Sequence, residues 1–259
     1  MNNLSDETEN RKYELKKVIS EAQKRLKRAP DGKLRISSGR YYHVTKDSSV
    51  FGRYLSVGKM RLIRALAQKD YDLKVLELAR AELAWLEGGR FYYGETFEEI
   101  FGSLHEKRKE LVIPAVLPDE MYIEKWLSRP YEKMGFDDSA PGYFTESGVR
   151  VRSKSELIIA NRFEKYHVPF LYEVPVYIGG SAFRPDFLVL KLPERKEIYW
   201  EHLGMLGSAD YSDKNIWKIN TYSSAGIVLG DNLIITLESG QVSLSTDNID
   251  QIIKKVILS

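Results

Sequence analysis

The chain has 259 residues, enough for one large or two modest domains, with 43% hydrophobic and 12% aromatic residues, which excludes a disordered polymer. Its 39 Lys and Arg against 37 Asp and Glu leave a net charge of +2, which excludes a uniformly polyanion-seeking surface while leaving local patches open. There is no cysteine, and His43, His105, His167 and His202 are widely spaced, so disulfides, thiolate zinc sites, Cys nucleophiles and His-rich zinc sites drop out and any metal must be held by oxygen.

The N-terminal stretch lacks a signal-peptide core, and no apolar run approaches the ~20 residues that cross a bilayer, so a soluble, cytoplasmic protein without a membrane partner is expected. From Asp6 to Arg28 the spacing of Leu15, Ile19, Ala22 and Leu26 predicts an amphipathic helix, stopped by Pro30 and Gly32. Residues 33–45 read as two strands about Ser37-Ser38-Gly39, with Arg53-Tyr54-Leu55 as a third. A long helix is expected from Lys59 to Leu86, ended by Gly88-Gly89, and another from Thr96 to Glu110. Pro114, Pro118, Pro130 and Pro141 mark a turn-rich connection, which sets a boundary near residue 140 between a helical N-terminal module with a small β ribbon (1–140) and a mixed α/β domain (141–259).

In the second domain, residues 153–166 read as a helix, followed by strands at 170–177, 183–192 and 197–203. A helix near Ser212–Ser224, a hairpin of 226–230 and 232–238 about Gly230-Asp231, and a terminal helix opened by Thr246 complete the order α-β-β-β-α-β-β-α. Three acids stand out: Glu156 in the first helix, Asp186 behind a proline, and Glu201 in the third strand. Strand alternation puts Glu197, Tyr199, Glu201 and Leu203 on one face and Ile198, Trp200 and His202 on the other. Two carboxylates about 4 Å apart repel by roughly 4 kcal/mol at an effective dielectric near 20, so bringing Asp186 and Glu201 together calls for a cation or a shared proton. A divalent metal answers that need, and all-oxygen ligation suits Mg²⁺ or Mn²⁺.

The series Glu156, then Arg184-Pro185-Asp186-Phe187, then Trp200-Glu201-His202-Leu203-Gly204 resembles the PD-(D/E)XK nuclease superfamily. It looks most like a branch of bacterial and phage-type proteins whose third strand reads W-E-H-L-G. The resemblance covers roughly residues 149–258. It implies a restriction-endonuclease-like α/β core, a mixed sheet flanked by helices, that hydrolyses phosphodiester bonds of nucleic acid, DNA first, in defence, repair or mobile-element biology. It further implies that Asp186, Glu201 and the backbone carbonyl of His202 ligate Mg²⁺ or Mn²⁺, with Glu156 acting through a water or assisting a second ion.

One position departs from the pattern. The usual lysine, two residues after the strand-three acid, is replaced by Leu203. The resemblance allows a lysine that has migrated to the following helix. Lys218 is the first candidate, because Asn215, Lys218 and Tyr222 share a helix face, with Lys154 and Lys214 behind it. Without such a lysine the domain is either a slow enzyme or a nuclease-derived module that binds nucleic acid or protein and does not cleave.

Plainer readings stand beside these. Ser153-Lys154-Ser155-Glu156 fits a capping box, and alternation turns the His202 ring away from Glu201. Lys12, Lys16, Lys17, Lys24, Arg25, Lys27 and Arg28, interleaved with Glu14 and Glu21, make either a solvated helix face or a phosphate-contacting arm. Arg40, Arg53, Lys59, Arg61 and Arg64 form a basic face around the ribbon if the fold groups them. The first helix equally suits a homo-oligomeric scaffold.

Overall fold

The computed structural model describes residues 3–48, 51–89, 94, 96–137, 142–204 and 209–259. The protein is mixed α/β and divides into two compact units, Met1–Pro118 and Asp119–Ser259. Among the described residues no helix is long and apolar enough to cross a membrane.

In the first unit, α1 (Asn3–Leu26) buries Leu15 and Ala22 against α2 (Met60–Leu86), which contributes Ile63, Leu66, Val75 and Ala79. Two ion pairs set the helices antiparallel, Arg11 on Glu82 and Arg25 on Asp72. Asp72 is 1% exposed and takes both arms of the Arg25 guanidinium at 2.8 Å. Part of the cationic face expected on α1 is therefore committed to acids, Lys12 to Glu9 and Lys16 to Glu87 included.

Between these helices run β1 (Lys33–Ser37), β2 (Arg40–Val44) and β3 (Arg53–Leu55), an antiparallel sheet in that order. Ser38 and Gly39 both have positive φ (47° and 74°), the backbone of a two-residue hairpin turn that matches strand twist. The single helix expected over 96–110 is two short ones, α3 (Phe97–Gly102) and α4 (Glu106–Lys109). Thr96 and Glu99 form a capping box at the first, whereas the ring of His105 accepts the Lys107 N–H and opens the second.

The division falls at Pro118, not near residue 140. A helix that the proline-rich reading missed, α5 (Asp119–Leu127), belongs to the second unit, where Trp126 and Arg129 both donate to Glu197. The expected turn at Pro141 lies outside the described residues.

The second unit continues with a two-stranded ribbon, β4 (Tyr143–Phe144) and β5 (Arg150–Val151), then α6 (Lys154–Lys165) and β6 (Phe170–Tyr172). A second ribbon, β7 (Val176–Ile178) and β8 (Ser181–Phe183), precedes β9 (Phe187–Lys191) and β10 (Lys196–Leu203). After them come α7 (Ala209–Ser224), β11 (Leu233–Leu237), α8 (Thr246–Ile252) and a π-helical turn, Ile253–Ile257. The main sheet runs β11-β10-β9-β6; β6, β9 and β10 are antiparallel neighbours, and β11 lies parallel to β10 after the α7 crossover.

Three expected elements differ. The strand over 170–177 breaks at Glu173, whose φ of 51° ends β6 and sends β7 out to pair with β8. The strand over 183–192 is interrupted by Pro185, so Asp186 stands just ahead of β9. The 226–238 hairpin does not form: Gly226 and Gly230 have positive φ, only an isolated bridge joins Leu229 to Leu233, and β11 pairs with β10 instead. The last helix is capped by Ser245, which accepts the Asn248 N–H, one residue before Thr246.

Both faces of the sheet are covered, which is why β9 reads as an unbroken apolar run. Phe187, Val189, Ile198 and Trp200 face α6 and α8 through Phe163, Ile249 and Ile253, with the Phe163 and Trp200 rings edge to face at 5.1 Å. Leu188 and Leu190 face Trp126 of α5. Arg25→Ala, which would strand the buried Asp72 charge, is expected to cost about 3–5 kcal/mol in chemical denaturation of the first unit. Arg11→Ala at the more exposed pair should cost about 1 kcal/mol or less; equal losses would contradict this.

Candidate active site

The last ladder pair between β9 and β10 is Phe187 with Trp200. One step further, the same register sets Asp186 opposite Glu201, so the two acids come from neighbouring strands and face the same side of the sheet. The β6 side holds this geometry as well, because the Glu173 N–H donates to the Asp186 carbonyl (3.0 Å). Proline at 185 has no N–H and ends the ladder. The missing donor leaves the His202 carbonyl without an N–H partner on that side, and the His202 N–H itself donates to Asp186 Oδ2 at 2.6 Å. The N–H and C=O of one strand residue point to the same side, so the His202 carbonyl also faces the open end of β9.

Glu201 is 4% exposed and lies under α7. Lys218 Nζ donates to its Oε1, and the buried Tyr222 hydroxyl stands 3.4 Å from its Oε2. Lys218 and Tyr222 thus share one helix face directed at Glu201, and Asn215 is buried one turn earlier with its amide on the Tyr211 carbonyl. Lys154 and Lys214 are exposed, and neither pairs with these acids. Leu203, in the place of the usual lysine, is buried.

Glu156 has a structural task at the start of α6. Its N–H is capped by Ser153 Oγ (3.2 Å), its Oε1 accepts from the Ser153 hydroxyl (2.8 Å), and its Oε2 accepts from the Arg152 N–H (3.0 Å) and the Tyr172 hydroxyl (2.6 Å). It remains close enough for its charge to act on Asp186. Tyr172 went unnoticed in the sequence; its place at the end of β6, facing the first turn of α6, is the signal that could have revealed it. Arg184, next to the Pro-Asp pair, turns to the carbonyls of Glu132 and Glu173.

The His202 ring lies on the opposite face, buried, with Nδ1 3.0 Å from Thr236 Oγ1, which also accepts from Trp200 Nε1. Its Nε2 is 3.4 Å from Glu238 Oε1 but is not aligned for a hydrogen bond. The ring belongs to the packing between β10 and β11.

The electrostatics follow from crowding acids into a low-dielectric place. Asp186 lies deep among protein atoms while keeping part of its surface open. Burial pushes its carboxyl well above the usual range, the charges of Glu201 and Glu156 push it further, and the His202 N–H and Lys218 only partly offset them. Burial also raises Glu201, against the pull of Lys218, Tyr222 and the Asp186 N–H. Burial and the neighbouring carboxylates hold the phenols of Tyr172 and Tyr222 protonated.

Among the described residues no three Asp, Glu or His side chains form a ready cage for a metal. An ion of the Mg²⁺ type asks for less, one or two carboxylates with waters and substrate oxygens filling the rest. The donor set fits that demand: Asp186 Oδ1 accepts no hydrogen bond among the described residues, Glu201 is its neighbour, and the His202 carbonyl faces the same opening. In comparisons with known proteins, the chain matches no protein-family model, no curated protein and no solved structure.

The raised Asp186 carboxyl carries a sign. Between the ordinary Asp range and its folded-state value the folded protein binds more protons than the unfolded chain, so stability falls as pH rises through that interval. Asp186→Asn keeps an acceptor for the His202 N–H and removes the charge. In EDTA it should melt a few degrees above the wild type at pH 8, with the gap closing toward pH 4. A variant that melts at or below the wild type at pH 8 would contradict this electrostatic account.

Proposed function

We propose that the second unit hydrolyses phosphodiester bonds of nucleic acid, DNA first, with Mg²⁺ or Mn²⁺ held by Asp186, Glu201 and the His202 carbonyl. The observation that carries this reading is the meeting of Asp186 and Glu201 across adjacent strands with the Lys218 ammonium between helix and sheet. The series α6-β6-β9-β10-α7-β11, with its mixed sheet, supports the resemblance of the motif to PD-(D/E)XK nucleases. A divalent ion bound there supplies Lewis-acid polarisation of a phosphate and lowers the pKa of an attacking water.

The chain's own groups do the positioning. The His202 N–H fixes the rotamer of Asp186, and Tyr222 and Lys218 fix Glu201. Lys218 takes over the duty of the missing strand lysine and offsets the negative charge that grows on the phosphate. Glu156 orients a water through the acceptor capacity left on Oε1. A second reading, a nuclease-derived module that binds without cleaving, is favoured by Leu203 and by the ammonium already paired with Glu201.

Purified protein incubated with linear, circular and single-stranded DNA separates the two. The hydrolytic reading predicts cleavage that needs Mg²⁺ or Mn²⁺, disappears in Asp186→Asn and Glu201→Gln, and falls by about 10²-fold or more in Lys218→Ala. Binding without cleavage, or cleavage that persists in Asp186→Asn, overturns it.

A further inference from the structure

The three-stranded sheet of the first unit has one face in the core and one without cover from the described residues of that unit. Leu34, Ile36, Tyr41 and Leu55 turn inward to α2 and its neighbours. By alternation Lys33, Arg35, Arg40, Tyr42 and Tyr54 share the outer face. Arg35, Tyr42 and Tyr54 form one cross-strand row. The Arg35 guanidinium lies 6.0 Å from the centre of the Tyr42 ring, and the Tyr42 and Tyr54 rings meet edge to face at 5.9 Å. Phe51, from the β2–β3 connection, extends the row with its ring 5.4 Å from Arg35.

Two of these rings are open to an unusual degree, Tyr54 at 55% and Phe51 at 69% exposure. Aromatic surface left in water on a pleated sheet calls for a flat apolar partner. The charge around it names the sign of that partner: between Lys33 and Arg64 there are eight Lys and Arg and one acid, Asp47, in a chain whose total is only +2. Lys33 and Arg40, on the same face as the rings, are exposed and carry no ion pair among the described residues. Beyond the free edge of β1 lies a groove of about 790 Å³ in which Lys33, Arg35 and Lys107 stand beside the apolar Leu34, Ile36 and Val44.

We infer that this face binds single-stranded nucleic acid, with bases stacked on Tyr54, Phe51 and Tyr42 and phosphates met by Lys33, Arg35 and Arg40. Unpaired bases offer the flat π surface that fits exposed rings, and the alternation of base and phosphate matches rings bordered by cations. A duplex hides its base faces and offers phosphate alone; an acidic peptide offers charge without rings. This goes beyond the hydrolysis proposed for the second unit, since it needs neither metal nor Asp186.

The test is fluorescence anisotropy of the full chain in EDTA with a labelled 20-nucleotide oligothymidylate and a 20-base-pair duplex. The single strand should bind more tightly. Tyr54→Ala and Phe51→Ala should each weaken it about fivefold or more, because stacking on an aromatic ring contributes at least that factor per base. Lys33→Ala with Arg40→Ala should lower the slope of log Kd against log salt by about 1.4, or 0.7 for each lost phosphate contact. Lys33→Glu with Arg40→Glu, both exposed, provides a second variant should a ring variant melt early. Duplex binding as tight as single-strand binding, ring variants that bind like the wild type, or equal displacement by polyglutamate each overturns the inference. Because EDTA removes the ion that the proposed hydrolysis needs, binding in EDTA and cleavage in Mg²⁺ are separate readouts, so failure of cleavage and failure of this surface are read separately.

Discussion

Two carboxylates held side by side inside a sheet are the constraint to which the rest of the second unit answers. Asp186 and Glu201 would repel by several kcal/mol in such a setting, and each gives up hydration to be there. The offsets are few and specific: the His202 N–H to Asp186, the Tyr222 phenol and the Asp186 N–H to Glu201, and the Lys218 ammonium, which pairs with Glu201 and also acts on Asp186. Negative charge is left over. An excess of that kind in a place reachable from solvent is what the proposed cation would offset, and it links the fold to the proposed chemistry.

Holding the acids in place takes a rigid frame. Proline at 185 ends one ladder where the carboxylate must turn toward β10, and the carbonyl of the same aspartate is anchored from β6. Phe163, Phe187 and Trp200 interlock beneath one face, while Leu188 and Leu190 close the other against α5. With both faces packed, a register slip would bury the wrong side chains throughout, so the facing of residues 186 and 201 is fixed by hydrophobic patterning far from the acids.

Periodicity made the helices α1, α2, α6 and α7 legible, because their apolar stripes are long. The ribbon β1–β3 was legible through its Ser-Gly turn and the alternation beside it. What escaped the sequence were events decided by single backbone angles or by distant partners. Positive φ at Glu173 splits what reads as one strand. Residues 226–230 look like the first arm of a hairpin until β11 finds a parallel partner in β10. Helix α5 hid among prolines because it begins right after one, at Asp119, and its hold on β10 runs through Glu197. At the site, the separation of Asp186 and Glu201 along adjoining strands and the helix-face spacing of Lys218 and Tyr222 were readable in advance. The pairing of Tyr172 with Glu156 was not, since it depends on where β6 ends.

The most direct check on the acid pair is a crystal of the protein soaked in Mn²⁺, examined for anomalous scattering. The account predicts a peak in contact with carboxylate oxygens of both Asp186 and Glu201 on the side of the His202 carbonyl, with Lys218 turned from its present pairing to share the site. An empty pocket at saturating Mn²⁺, with Lys218 still clasping Glu201 and the two carboxylates too far apart to touch one ion, would contradict it.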